Sequence, residues 1–77
     1  MTFSLHPAAK LSRDDNGTYY VPMITVRGAK GRMVGSHTPK GAYREFRTFT
    51  NEACAVIEAR IIALRCALAR PETFRVA

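Results

Sequence analysis

Acidic residues are scarce in this chain, and the imbalance narrows the choice of partners. The 77 residues include six Asp and Glu against twelve Lys and Arg, for a net charge of +6. A surface of this sign attracts phosphates and acidic proteins. Most of the basic residues are arginine, whose planar guanidinium makes two-pronged hydrogen bonds that lysine cannot make. The composition favours a binding protein for nucleic acid, a nucleoprotein complex or an acidic protein surface.

Long apolar runs are also missing. Residues 1–17 contain no apolar h-region, so we expect no secretory signal. Arg60 and Arg65 interrupt the one stretch that is otherwise apolar enough to be considered as a bilayer span. We therefore expect a soluble protein of the cytoplasm that does not bind a membrane, in the host cytoplasm if a phage encodes it.

Cysteine and histidine are too few and too scattered for a metal site or an internal disulfide. Cys54 and Cys66 fall twelve residues apart in a predicted helix, which separates them by about 18 Å. A disulfide needs Cα atoms within about 7 Å, so reduced thiols are expected. With His6 and His37 the cysteines lack the paired short spacings of a zinc site. The sequence predicts no metal and no cofactor.

A catalytic set is not visible either. Ser36 and His37 are adjacent, and neighbouring residues of a strand point to opposite faces. Asp14 and Asp15 belong to a turn signal. A domain of this size has a small core, which leaves little room for a substrate cavity. We therefore expect no enzymatic activity.

What the chain does contain is an alternation of strand and turn signals followed by one helix. Asn16-Gly17 favours a tight hairpin turn, and Pro22 is compatible with an edge strand or a bulge. A short strand over residues 8–13 precedes three further predicted strands, which are Thr18 to Arg27, Arg32 to His37 and Tyr43 to Phe49. Hairpin connections between them predict an antiparallel meander.

The helix is bounded on both sides. Thr50 or Asn51 supplies an N-cap, and Pro71 ends the helix near Arg70. The predicted fold class is α+β, with an antiparallel three- to four-stranded sheet packed against one long C-terminal helix. One domain covers residues 1–77, with an arm at 1–7, the sheet at 8–49, the helix at 51–70 and a tail at 71–77.

This helix has two apolar stripes. The first is predicted to pack on the sheet and consists of Ile57, Ile61, Leu64 and Leu68. The second, about half a turn away, is a candidate contact face made of Ala55, Ala59, Ile62, Ala63 and Cys66. Its occupant is a second copy in a homodimer, a partner protein, or the N-terminal arm through Phe3 and Leu5. Alternatively, it is a solvated face rich in alanine.

The stretch from Arg27 to Arg47 concentrates basic side chains among β-forming and aromatic residues, which predicts a folded cationic surface. The predicted binding residues are Arg27, Lys30, Arg32, Lys40, Arg44, Arg47 and Tyr43.

The predicted order of three strands followed by a long helix resembles a DNA-binding architecture. The matching segments are Gly17 to Val21, Arg27 to Arg32 and Arg44 to Ala53. It is similar to the arm-binding domain of tyrosine-type phage integrases and to the DNA-binding domain of plant ethylene-response factors. The resemblance covers about residues 17–70. It implies that Arg27, Arg32, Arg44 and Arg47 lie on a sheet that faces a DNA groove.

By size and class, the chain also resembles phage accessory proteins such as anti-CRISPR inhibitors, which cover a functional surface of a CRISPR effector. Taken together, we expect a phage-type accessory or regulatory protein that binds nucleic acid or a nucleoprotein through an Arg-rich sheet surface. The alternative is an anti-CRISPR-type inhibitor that docks on an acidic protein subunit of a CRISPR effector complex.

Overall fold

The computed structural model describes residues 2–15, 17–28, 30–38 and 48–77. It consists of strands β1 (Phe3–Asp14), β2 (Gly17–Arg27) and β3 (Met33–His37), helix α1 (Glu52–Ala69) and strand β4 (Phe74–Val76). The four strands form one sheet with α1 across it. The α+β class and the single long C-terminal helix are confirmed.

The sheet has the order β3-β2-β1-β4. β1 and β2 pair in antiparallel fashion from Ser4↔Arg27 to Asp14↔Gly17. β4 pairs with β1 in parallel, from Phe3↔Phe74 to Leu5↔Val76. The sheet is therefore mixed, which corrects the purely antiparallel prediction. Residues 3–7 of the predicted arm continue β1 along β2, and residues 74–76 of the predicted tail form a strand because they pair with the other edge of β1.

Pro22 sits inside β2 without a bulge at that position. Tyr20 N–H donates to Phe49 O at 2.7 Å, on the side of β2 away from β1. Backbone groups of alternate residues point the same way, so the position of the missing Pro22 donor also faces away from β1. There it lies between the Phe49 bridge and the β3 pairing, which begins at Ile24. The proline therefore removes no β1–β2 hydrogen bond.

Both ends of α1 follow the local signals. The Asn51 side chain caps the helix, because its Oδ1 accepts from Ala53 N–H at 2.8 Å. At the other end the Arg70 N–H donates to Cys66 O at 3.0 Å, and Pro71 follows. Within the described residues, the helix is not apolar enough over its length to cross a membrane.

The helix packs on the sheet through its alanines, so the predicted orientation of α1 was wrong. Ala55, Ala59 and Ala63 are 0% exposed. The core cluster joins Ala59 and Ala63 to Leu5 and Ile24, and the partly buried residues around it are Val26, Ile62, Phe74 and Val76. The stripe predicted to be inside is exposed instead: Ile57 57%, Ile61 39%, Leu64 46% and Leu68 82%.

The sheet explains this choice of face. Large side chains already project from its helix-facing side, among them Leu5, Ile24 and Phe74. Alanine methyls opposite them let the helix backbone approach closely, and large and small residues then interdigitate at high density.

The apolar side chains of β2 divide between the two faces of the sheet. Ile24 is buried and Val26 half-buried under the helix. Val21 is also buried, on the opposite face of β2. Phe49 is half-buried, whereas Phe46 lies outside the described residues.

Candidate cationic interface

The β2–β3 connection gathers basic side chains at one end of the sheet. The turn is closed by Gly28 N–H donating to Arg32 O at 2.9 Å and by Gly31 N–H donating to Gly28 O at 3.0 Å. Gly31 has φ +75°, a left-handed conformation that suits glycine. Arg27 braces the turn, since its Nη1 donates to Gly31 O at 2.9 Å. Arg27, Lys30 and Arg32 are all exposed here.

A fourth cation joins them through the sheet register. Ser4 of β1 pairs with Arg27 on one side and with Arg75 of β4 on the other. Their neighbours Leu5, Val26 and Val76 face the helix, so both arginines project from the opposite side of the sheet. Two strand spacings separate their backbones by about 10 Å.

We call the side of the sheet opposite α1 the open sheet face. It includes the row of Ser4, Arg27 and Arg75 and carries both polar and apolar side chains. Its exposed cations are Arg27, Arg75 and Lys10. Between the Ser4 row and the Ser12↔Tyr19 row, no acidic residue lies on this face among the described positions. A shallow recess of about 110 Å³ is lined by Lys10, Ser12, Tyr19, Val21 and Thr38.

Arg75 was missed because the tail carries no strand signal of its own. The strand β4 has only three residues, Phe74–Val76, and a run of that length shows no periodicity in the sequence. Its position becomes visible only once β4 is paired with β1.

Of the predicted binding residues, the structure places Arg27, Lys30 and Arg32 together at one hairpin. Lys40, Tyr43, Arg44 and Arg47 lie outside the described residues.

The chain itself covers most of the predicted contact face of α1, whereas Cys66 of that face is exposed. Ala55, Ala59 and Ala63 have no exposed surface, and Ile62 packs against the same core. The segment predicted as an arm provides Leu5 to this cluster, and Phe3 contacts Phe74 with ring centroids 6.3 Å apart. Of the alternatives raised by the sequence, burial by the N-terminal segment matches this packing. The buried alanines cannot bind a second copy or an external partner.

A cavity of about 160 Å³ lies between α1 and the sheet. It is lined by Leu5, Ile24, Val26, His37, Cys66 and Phe74, and the surface that faces it is entirely apolar. No group of three or more metal-ligating side chains occurs in the part of the chain that the structure describes. Cys54 and Cys66 are both free thiols.

No family model, no curated protein and no solved structure matches this chain.

Proposed function

We propose that this chain is a small non-catalytic binding protein of the phage accessory or regulatory type that binds nucleic acid or a nucleoprotein complex through its cationic surface. The observation that carries the proposal is the convergence of Arg27, Lys30 and Arg32 at one hairpin, with Arg75 in the same row of the open sheet face as Arg27. Cations fixed on folded backbone bind phosphates without first having to be ordered.

The charge distribution of the open sheet face supports a polyanion as the target. Its described cations are spread along the sheet from the β2–β3 turn to Lys10, rather than gathered around one pocket. An extended row of cations suits a polymer with repeated charges better than a single small anion. The predicted cations Lys40, Arg44 and Arg47 and the stacking residue Tyr43 belong to the same proposal.

A second candidate is docking on an acidic protein surface, as an anti-CRISPR-type inhibitor of a CRISPR effector would do. The observation that favours it is the apolar pair Ala8↔Met23, which lies half-buried between the cations of the open sheet face. Protein partners bury apolar atoms of this kind, whereas a phosphate backbone gains little from them.

Fluorescence anisotropy with random duplex and single-stranded oligonucleotides at several salt concentrations tests the first candidate. Phosphate contacts predict a linear fall of log affinity with log salt. Replacing Lys30 and Arg32 by glutamine should weaken binding to all sequences and reduce that slope by about one for each phosphate that is no longer neutralised.

A matched control comes from Arg13→Gln, which removes one exposed cation from the far end of the β1–β2 hairpin. Equal losses of affinity from Arg13→Gln and from Arg32→Gln would indicate a response to net charge rather than a site. Absence of binding even at low salt would contradict the nucleic-acid candidate and favour the protein-docking one.

A further inference from the structure

The outer side of helix α1 carries four large apolar residues that the fold leaves exposed. Ile57, Ile61, Leu64 and Leu68 are spaced four, three and four residues apart. We call this stripe the outer helix face. It lies opposite the buried alanines, and the exposed fraction of its members runs from 39% to 82%. A contiguous apolar stripe of this kind on a small protein marks an interaction surface.

The spacing suits packing against another helix. Steps of four, three and four residues follow the average 3.5-residue repeat of a coiled-coil seam. In that repeat Ile61 and Leu68 occupy a positions, whereas Ile57 and Leu64 occupy d positions. Exposed Cys54 extends the seam by one further a position. The seam runs along a helix of 18 residues, which is about 27 Å long.

The charges beside the seam discriminate between the possible arrangements of two such helices. Glu58 and Arg65 occupy e positions, and Arg60 occupies a g position. In a parallel pair each g residue meets the e residue five positions on in its partner, so Arg60 would face Arg65 of the other copy. This like-charge contact would occur twice, because the pair has two-fold symmetry.

An antiparallel pair removes that conflict. If Ile61 of one copy layers against Leu64 of the other, Ile57 layers against Leu68. The e positions then meet each other, and Glu58 comes within about 3 Å along the axis of Arg65 of the second copy. Arg60 meets Ala67 instead of another cation. Both ends of the pair are therefore complementary, again by symmetry.

We propose that the outer helix face binds a second copy of this chain, in an antiparallel two-fold pair of α1 helices. The seam would bury Ile57, Ile61, Leu64 and Leu68 from both copies, and the Glu58–Arg65 contacts would fix the orientation. The helix is already folded by its packing on the sheet, so association does not have to order it. An interface of one helix per copy is small, which predicts a dissociation constant on the order of micromolar or weaker.

The arrangement has a consequence for the cationic surface. The helices meet in the middle, and the open sheet faces point outward on opposite sides of the pair. If the proposed function holds, such a dimer can bridge two separate stretches of an acidic polymer.

Sedimentation of the whole chain, without nucleic acid, tests the pairing up to concentrations on the order of 200 μM. The wild-type chain should pass from monomer to dimer, and Leu64→Glu should raise the dissociation constant by about tenfold or more. Leu11→Glu is the matched control, because Leu11 is 61% exposed on β1 and lies off the seam. Circular dichroism confirms that each variant is folded. A monomeric wild type, or equal effects of the two substitutions, would overturn the proposal.

The orientation has its own test in charge exchange. Arg65→Glu should weaken association about three- to tenfold, because it sets two carboxylates against each other at both ends of the pair. Glu58→Arg should do the same with two guanidinium groups. An equimolar mixture of the two variants should recover dimers, because each contact then joins opposite charges. In a parallel pair Arg65→Glu would strengthen association by relieving the contact with Arg60, and that result would refute the antiparallel arrangement.

Cys54 allows a second test of the helix orientation in the wild-type chain. A parallel pair places the two Cys54 residues side by side, whereas the antiparallel pair separates them by about 25 Å. Mild oxidation of the wild-type chain should therefore give no more crosslinked dimer than the same treatment of the Cys54→Ser variant. Rapid crosslinking that depends on Cys54 would contradict the proposed pair.

Discussion

The two sides of helix α1 are both apolar, but one is buried against the sheet and the other is exposed. The inner side is built of alanine and is completely buried at Ala55, Ala59 and Ala63. The outer side is built of isoleucine and leucine and remains in solvent. The size of the apolar side chains therefore does not decide which side of a helix is buried. Fit to the opposing surface decides it, and here the sheet already provides the large side chains.

The inner contacts should contribute most to stability, and Leu5→Ala tests this most strongly. Leu5 is 3% exposed and packs against Ala59 and Ala63. Truncation leaves a cavity beneath the helix, so we expect a loss of about 2–5 kcal/mol in the free energy of unfolding. Urea denaturation of a dilute sample measures it. A loss below about 0.5 kcal/mol would show that the helix does not pack on β1 in this way.

Ala59→Leu examines the same contact from the helix side. Ala59 has no exposed surface, and the added atoms would push α1 away from the sheet. Overpacking of this kind costs about 1–3 kcal/mol. The comparison is with Ala53→Leu, because Ala53 is exposed in the same helix and should tolerate leucine. Similar unfolding free energies for the two variants would contradict the close approach of helix and sheet.

Leu64→Ala should have a much smaller effect on the isolated monomer. Its side chain is 46% exposed on the outer helix face, so the substitution removes little burial within the chain. We expect a change below about 1 kcal/mol in unfolding free energy at dilution. A loss as large as that of Leu5→Ala would instead show that the Ile57–Leu68 stripe packs on the sheet, as the sequence predicted.

The smallest effect is expected at the end of the outer face. Leu68 is 82% exposed, and Leu68→Ala should change the unfolding free energy of the monomer by no more than about 0.5 kcal/mol. The same variant should nevertheless weaken self-association, because Leu68 occupies a seam position. A substitution that leaves folding unchanged and lowers dimer stability separates the functions of the two faces most clearly.

Sequence reasoning recovered those parts of the fold that depend on local signals. Asn51 and Pro71 mark the helix ends, and Gly17 marks the first hairpin, because caps and turns are set by a few neighbouring residues. The position of Arg27, Lys30 and Arg32 at the second turn also follows from a local signal, and their role in binding stays a prediction. Arg75 was not found, because its place in the surface depends on a parallel pairing with a strand near the opposite end of the chain.

The sequence by itself determined that this chain has one C-terminal helix with two apolar stripes, a sheet before it and an excess of positive charge. Only the tertiary structure decided which stripe is buried, that Phe74–Val76 completes the sheet, and that Arg27 and Arg75 share a face. The physical reason is that periodicity describes one element alone. Packing depends on the volume available across the gap, and strand pairing depends on which edge is free. Both are properties of two elements together.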